Sequence, residues 1–462
     1  MTEFCMIEFE NFLSPGRKGH LIGIGGVSMS SLGEVLHGMG ITVTGSDMND
    51  GANVQGLRRK GIEVFIGHDA ANLAPDVEFV VHTAAVHEDN PEMQAARAMG
   101  IPVFERTQAW GAISKEYNNS LCISGTHGKT TTTSMCTHIM MAADKDPTVM
   151  IGGTLPLLKA GHRVGHGNTI IMEACEYYNS FLSFHPTVAT ILNVEADHLD
   201  FFKDLDDVKK SFREFALRVP KDGVVVANHD DANTMDVVKD IDRKVITFGL
   251  SPEADVYAEN IEFLGGKSHF DLMYKGKLFT DVTLHIPGIH NVVNALAATA
   301  SCISLGVKPN AVKYGLAGFN GAGRRFEYKG RFNGADIYDD YAHHPGELKC
   351  LLDAVEQLDY KRNIVVFQPH TYTRTAALFN DFVEQLKRPT VIFLAEIFAA
   401  REQNTIGISS ADLAKEIPGA LFFPTFERVE TALKLIAQPG DVIFTVGAGD
   451  VYKVGEDLLK NE

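Results

Sequence analysis

The stretch Leu121-Cys122-Ile123-Ser124-Gly125-Thr126-His127-Gly128-Lys129-Thr130-Thr131 constrains the fold more than any other part of the chain. An apolar run, a glycine turn and a Lys-Thr pair read as a buried strand passing straight into a helix. Backbone N–H groups left unpaired at that helix start, together with a lysine, make a cradle for a polyphosphate. The ligand such a cradle selects is ATP or GTP. The eight-residue form of the loop has a glycine where Ile123 stands, so the loop here is the shorter Gly-Thr-x-Gly-Lys-Thr-Thr. A plain strand-to-helix turn with an exposed lysine is the alternative. It leaves the threonine run 130–133 unexplained, because threonine is a poor first-turn residue on propensity alone.

A chain of 462 residues is long enough for two to four domains. Its 45% hydrophobic and 22% charged residues are those of a folded protein in water. The formal charge of −17 argues against a nucleic-acid binder, so an anionic ligand must be held by local donors. Cys5, Cys122, Cys136, Cys175, Cys302 and Cys350 show no CxxC spacing, which suggests neither a zinc site nor a disulfide scaffold. Residues 1–12 lack the basic-then-apolar pattern of a signal peptide. No run of about 18 apolar residues is present to span a membrane. The expectation is a reduced, cytoplasmic, multidomain protein, either monomer or homodimer.

Strand and helix alternate along the first third: a strand that runs into glycines over 20–26, strands at 41–45 and 78–82, helices at 28–39 and 90–99. Such alternation predicts a parallel sheet with helices on its faces. The middle third opens at the phosphate loop and continues with strands at 169–172, 188–193 and 224–227 and helices at 206–217 and 291–304. Residues 254–286 read as a β-hairpin excursion with a Lys275-Gly276-Lys277 turn. After Gly321-Ala322-Gly323, strands at 337–339, 363–367, 391–395 and 442–446 form a third α/β unit. The expected domains are 1–110, 111–320 and 321–462, an α/β fold throughout.

Several constellations carry chemistry. Glu173 ends a strand of the sheet that presents the loop, where a magnesium ligand belongs, with the Thr130 hydroxyl as its companion. The alternative makes Glu173 and Glu176 solvated loop acids. Asn193-Val194-Glu195-Ala196-Asp197-His198-Leu199-Asp200 ends the next strand and places His198 among carboxylates, a setting for a metal ligand. Asn291 and Asn294 stand one turn apart on a helix face and can bond a base or phosphate; helix capping by Asn291 is the reading spacing alone favours. Arg324 and Arg325 can reach a γ-phosphate across a cleft or simply make surface ion pairs. Asp339-Asp340-Tyr341-Ala342-His343-His344-Pro345 looks like a ligand-facing loop, with Pro345 in a first helical turn. Gly23-Ile24-Gly25-Gly26-Val27-Ser28, with Asp47 about twenty residues on, suits the pyrophosphate of NAD or of a UDP-sugar. No Ser-His-Asp or Cys-His nucleophile arrangement stands out.

Assembled, these elements resemble the Mur ligase family along the whole chain. The matching pieces are Gly125 to Thr131, Glu173, Asn193 to His198, His290 to Asn294 and Arg324 to Glu327, in that order. Asp340-Tyr341-Ala342-His343-His344-Pro345 and Phe367-Gln368-Pro369-His370-Thr371-Tyr372-Thr373-Arg374-Thr375 look like the alanine-adding branch. Thr371 departs from that branch, where arginine is common, and Arg213 stands near the spot where some members carry a carbamylated lysine.

The resemblance implies a UDP-sugar domain, a central ATPase domain and a C-terminal domain that completes the ATP and amino-acid sites. It implies ATP and Mg2+ as cofactors, and UDP-N-acetylmuramate and L-alanine as substrates of an acyl-phosphate ligation in peptidoglycan precursor synthesis. Lys129, Glu173 and His198 become the catalytic candidates, with Thr130, Glu173 and His198 as metal ligands. Gly125, Thr126, His127, Gly128, Lys129, Thr130, Thr131, Asn291, Asn294, Arg325 and Asp340 are the ATP candidates. Gly25, Gly26, Ser28, Asp47, Thr83 and Arg106 are those for the UDP-sugar, and Tyr341, His344 and Arg374 those for the amino acid. Joining a preformed tripeptide to the same sugar, a loop ATPase without ligation, and an NAD oxidoreductase are the competing readings.

Overall fold

In the computed structural model residues 8–460 are described, apart from 84, 200 and 401. Cys5, Asp200 and most of the N-terminal segment 1–12 therefore lie outside the described residues; the other five cysteines are free thiols. The architecture is α/β, with sheets of five, ten and six strands.

The first sheet runs in the spatial order Glu63–Ile66, Thr42–Asp47, Lys18–Ile22, Phe79–His82, Val103–Glu105, and every neighbouring pair is parallel. Strand order reverses beside Lys18–Ile22, the switch point at which open α/β sheets leave a crevice. All carboxyl ends therefore share one edge of the sheet. The helix Val27–Gly38 packs against the strands Thr148–Leu155 and Ala160–Arg163 of the second sheet, where His162 Nε2 lies 2.5 Å from Glu34 Oε2.

In the second sheet Asn119–Ser124 lies between Val188–Ile191 and Thr169–Glu173, parallel to both. Leu121, Cys122 and Ile123 are fully buried, as a parallel strand covered on both faces requires. The residues after all three strands thus emerge at one edge. The segment expected as a hairpin excursion is instead the border of this sheet. Val256–Leu264, Lys267–Tyr274 and Lys277–Leu284 extend it beyond Lys244–Phe248. Period-two alternation describes a hairpin and a sheet border equally well, so sequence alone does not separate them.

The helix Lys129–Ala142 is buried from Thr130 to Met140. That burial accounts for much of the threonine run. Thr133 Oγ1 donates to Lys129 O and Thr137 Oγ1 to Thr133 O, each at 2.8 Å, so the hydroxyls satisfy themselves on carbonyls one turn back. Thr132 Oγ1 donates to Asn294 Oδ1 at 3.3 Å. Most of the run is a solution to burying a helix.

The third sheet has the order Glu327–Phe332, Ala335–Asp340, Asp441–Val446, Arg362–Phe367, Val391–Ala395, Leu421–Phe423, parallel except at its first pair. By contacts the chain divides into two compact units. One holds the residues up to Glu259 with Asp271–Asp281 and Val293–Phe319; the other holds Asn260–Phe270, Val282–Val292 and the residues from Asn320 on. Among the described residues no helix is long and apolar enough to cross a membrane.

Candidate active site

The phosphate loop is held from beside. Asn193 Oδ1 accepts from His127 N at 2.7 Å, Asn193 Nδ2 donates to His127 O at 3.2 Å, and Asn193 O accepts from Thr126 N at 3.1 Å. Thr126 Oγ1 accepts from Glu195 N at 3.0 Å. Gly128 sits at φ +86° as N-cap of Lys129–Ala142, a conformation that suits glycine, and no side chain caps that helix. The helix N-terminus is thus left for a ligand. The amide of Asn294 packs against Gly128.

Lys129 Nζ donates to Gly125 O at 2.5 Å and Thr126 O at 3.1 Å, and meets both oxygens of Glu176 at 3.2 and 3.0 Å. Burial works against the charge on Lys129, and the nearby acidic groups, Glu176 foremost, outweigh it and hold the ammonium above the ordinary lysine range. Glu176 is only 2% exposed. It is therefore not the solvated loop acid that composition allowed. Its signal in the sequence was slight: a second acid three residues after a strand-terminal one.

Glu173 Oε2 accepts from Thr130 Oγ1 at 3.0 Å and from Gly152 N at 2.8 Å. An acid and a hydroxyl converging beside the phosphate loop form a hard-oxygen set that suits Mg2+. His198 has φ +53°, and its ring stacks on Tyr177 with centroids 4.2 Å apart. Its Nε2 lies 3.8 Å from Glu176 Oε1 and 3.9 Å from Asp197 Oδ2. Among the described residues, the acids beside His198 are thus Glu176 and Asp197. Arg213 donates to the carbonyls of Val237 and Lys239.

The first sheet gathers the sugar-nucleotide candidates on its carboxyl edge. Gly25 N donates to Asp47 Oδ2 at 2.9 Å, and Asp47 Oδ1 accepts from Asn49 N at the same distance. Gly26 is the uncapped N-cap of Val27–Gly38, and Ser28 lies in that helix's first turn. Thr83 follows the strand Phe79–His82 and packs against Gly23. Arg106 opens the helix Arg106–Lys115, and its Nε is buried without a hydrogen-bond partner. Beneath this edge lies a network no motif announced. The fully buried Glu92 accepts from Ser46 Oγ and Asn72 Nδ2, each at 2.6 Å, and stands 3.0 Å from His68 Nδ1 and 3.7 Å from His20 Nε2.

In the C-terminal unit the two arginines have different fates. Arg324 is consumed: Nε donates to Asp339 Oδ2 at 2.8 Å, and its other nitrogens reach Gly447 O at 2.6 Å and Gly449 O at 3.1 Å. Arg325 lies over the Tyr341 ring at 5.0 Å, with Glu347 Oε1 3.7 Å away. Asp340 accepts from Phe326 N and Ala342 N, each at 2.8 Å. Burial pushes it up to about 6, against the pull of Arg325. His344 caps the helix Pro345–Val355 by accepting from Gly346 N at 3.2 Å, and Glu347 completes the box. Burial lowers both His343 and His370 to about 4, so both rings are neutral at pH 7. Arg374 Nη1 stands 3.4 Å from His370 Nδ1. Thr371 has φ +66°, a strained setting for a β-branched residue. Asn291 does not cap its helix, which starts at Ile289; its Nδ2 donates to Pro287 O at 2.6 Å.

Comparison with known proteins matches three successive stretches to family models. The Mur ligase family catalytic domain covers residues 18–118, the Mur ligase middle domain 123–302, and the Mur ligase glutamate ligase domain 324–449. The UDP-N-acetylmuramate–L-alanine ligase of Agathobacter rectalis is 46% identical over 446 residues, covering 96% of this chain and 97% of that one. The enzyme of the same name from Clostridium novyi is 45% identical over 457 residues, 97% and 99% of the two chains. The crystal structure of UDP-N-acetylmuramate-alanine ligase from Thermotoga maritima superposes with a TM-score of 0.81 at 27% identity, over 96% of this chain and 98% of that one.

Proposed function

The chain belongs to the Mur ligase family, and from that premise we propose that it joins L-alanine to UDP-N-acetylmuramate with the cleavage of ATP. The observation that carries this reading is near-complete coverage by L-alanine ligases at well over a third identity, on a chain that also builds the phosphate cradle. The γ-phosphoryl group passes from ATP to the muramoyl carboxylate, giving ADP and an acyl phosphate. The amine of L-alanine attacks the acyl carbon, phosphate leaves, and the nitrogen sheds a proton as the amide forms.

Two anions must meet in the first step, so the site's task is to offset charge. Lys129 and the open helix N-terminus after Gly128 meet the polyphosphate. The hydroxyl of Thr130 and carboxylate of Glu173 suit Mg2+, with His198 the candidate at a second ion; a bound Mg2+ supplies further charge neutralisation. Asn294 braces the loop at Gly128. Asn291, Arg325 and Asp340 are assigned to ATP, and Tyr341, His344 and Arg374 to the amino acid. His344 acts there through the helix it caps. Gly25, Gly26, Ser28, Asp47, Thr83 and Arg106 are assigned to the sugar nucleotide. The corresponding domains are 1–110, 111–320 and 321–462, working in the cytoplasm.

The test is phosphate release from Mg-ATP with UDP-N-acetylmuramate and a panel of L-alanine, glycine, L-serine, D-glutamate and the tripeptide. Release that needs the sugar nucleotide and is greatest with L-alanine is expected. Release only with the tripeptide moves the chain to another branch of the family, and release without any amine removes the ligase reading.

A further inference from the structure

Lys129 is fully engaged by the protein's own groups. An ammonium has three protons, and here four acceptors surround it: the carbonyls of Gly125 and Thr126 and both oxygens of Glu176. A γ-phosphate can recruit this lysine only by displacing one of them. The two carbonyls belong to the loop and stay beside the lysine. Glu176 comes from a different segment, past the end of the strand Thr169–Glu173, and is the only charged member of the set.

We propose that Glu176 is a positioning residue. It holds Lys129 as a stand-in anion in the nucleotide-free enzyme and gives it up to the incoming phosphate, turning instead toward His198. This rests on the ligase reading above. The exchange swaps one anion for another at Lys129, so the lysine is never buried without a counter-charge. The carboxylate it leaves is itself buried, at 2% exposed, and needs a new partner. His198 Nε2 is 3.8 Å from Glu176 Oε1 and is held in place by stacking on Tyr177, the residue next to Glu176. The segment is pinned: Ser211 Oγ donates to Asn179 Oδ1 at 2.5 Å and Phe181 N to Cys175 O at 2.9 Å. Rotation of the Glu176 side chain is then enough for the transfer.

The experiment measures ATP binding in EDTA by titration calorimetry, alongside turnover with Mg2+. Glu176→Gln keeps the shape and removes the competing charge. It is expected to bind metal-free ATP about 10-fold more tightly than the parent, the worth of one charge-assisted contact, while kcat falls about 10-fold or more. A residue that merely supports the fold predicts the opposite sign, weaker binding together with a lower melting temperature. In a Lys129→Met background the tightening should vanish, because no lysine remains to be released. Unchanged or weaker ATP binding by folded Glu176→Gln overturns the proposal. Should that variant fail to fold, Glu176→Asp, one methylene shorter, replaces it. A gain of about 3-fold is then expected, and no gain overturns the proposal. Failure of the ligase reading shows elsewhere, as parent enzyme that releases no alanine-dependent phosphate.

Discussion

Two of the chain's strand–glycine turn–helix junctions handle negative charge in opposite ways. At Gly125 to Lys129 the acid, Glu176, is tied to the lysine, and the helix N-terminus is uncapped. At Gly23 to Val27 the helix is also uncapped, but the acid, Asp47, already accepts from the backbone N–H of Gly25, and the glycine turn itself carries no basic side chain. Some helices elsewhere are capped by side chains, as by Asn90, Glu105 and Asp204, whereas those at Ala52–Arg59, Pro309–Ala317 and Phe426–Ile436 are not. What sets the two junctions apart is the glycine turn at the end of a sheet strand, which lets a ligand approach the unpaired N–H groups of the helix start. The first junction suits a highly charged phosphate chain. The second, with a strand-end carboxylate set against its turn, suits the hydroxyl-bearing part of a nucleotide at Asp47.

The buried acids repeat the contrast. Glu176 bonds to a lysine that has work elsewhere, whereas Glu92, under the edge where Asp47 sits, bonds to Ser46 and Asn72, whose partners are permanent. One acid is exchangeable and the other is scaffold. Lys129→Met tests the first most severely. It removes the only charged donor to the γ-phosphate proposed here besides Arg325, and kcat should fall by about 10³-fold or more. It also leaves the buried Glu176 with only His198, 3.8 Å away, in place of the ammonium, which should lower stability by about 1 to 3 kcal/mol. Phosphate-release assays and denaturant melts read the two effects separately. Full turnover in this variant would break the comparison at its root.

Glu92→Gln tests the scaffold and should leave the chemistry alone. Burial raises the carboxyl, but the contacts from His20, Ser46 and Asn72 outweigh it and hold Glu92 at about 2, against 4.5 unperturbed. At neutral pH that difference is worth about 3 kcal/mol to the fold. Because the folded value is depressed, the stabilisation is present above about pH 4.5 and disappears as pH falls toward 2. The Gln variant should therefore melt lower than the parent at pH 7, and the gap should narrow on acidification. A gap that stays constant with pH would assign the loss to packing rather than charge.

How far the sequence carried this contrast depends on the length of the contacts involved. The phosphate loop, Glu173 and Asp47 are local or strand-terminal, and a linear reading finds them because strand ends and helix starts have sequence signals. Glu92 has no such signal. Its partners Ser46, Asn72 and His20 come from other elements, and only folding brings them together. Glu176 was visible as an acid, but its burial was not, since that depends on neighbours supplied by tertiary packing. Spacing also misjudged Asn291, which suggested a cap one turn late, and it could not tell Arg324, locked onto Asp339 and two carbonyls, from Arg325. The alternation along 254–286 predicts strands and strands form there, yet their neighbour in the sheet lies outside that pattern.

A gentler probe sharpens the view of the second junction. Asp47→Asn keeps an acceptor for Gly25 N and removes the charge. If Asp47 meets hydroxyls of the sugar nucleotide, KM for UDP-N-acetylmuramate should rise about 10-fold with KM for ATP unchanged, the cost of weakening a charged hydrogen bond. A fall in that KM would mean the diphosphate lies against Asp47, and the two junctions would then be alike in what they bind.

The smallest change asks whether the second turn is shaped by the fold or by its ligand. A Cβ on Gly25 would come within 2.8 Å of Asp47 Oδ2 and 3.0 Å of Val54 Cγ2, so a side chain there would push Asp47 aside through the fold's own packing. Gly26 differs. Its φ is −63°, and the nearest atom to an added Cβ is Gly23 O at 3.5 Å, an ordinary contact. The fold does not need glycine there, and Gly26→Ala should leave stability within about 0.5 kcal/mol of the parent. A ligand lying against the backbone would feel the methyl group. KM for UDP-N-acetylmuramate should therefore rise about 3-fold in a protein that melts normally, the cost of a small steric intrusion. At Gly128, by contrast, a Cβ would stand 2.6 Å from Asn294 Oδ1 at φ +86°, so Gly128→Ala should lose stability before any ligand is added. Stability thus separates a glycine demanded by the chain from one demanded by its substrate. A Gly26→Ala variant with unchanged KM would place the sugar nucleotide away from this helix start.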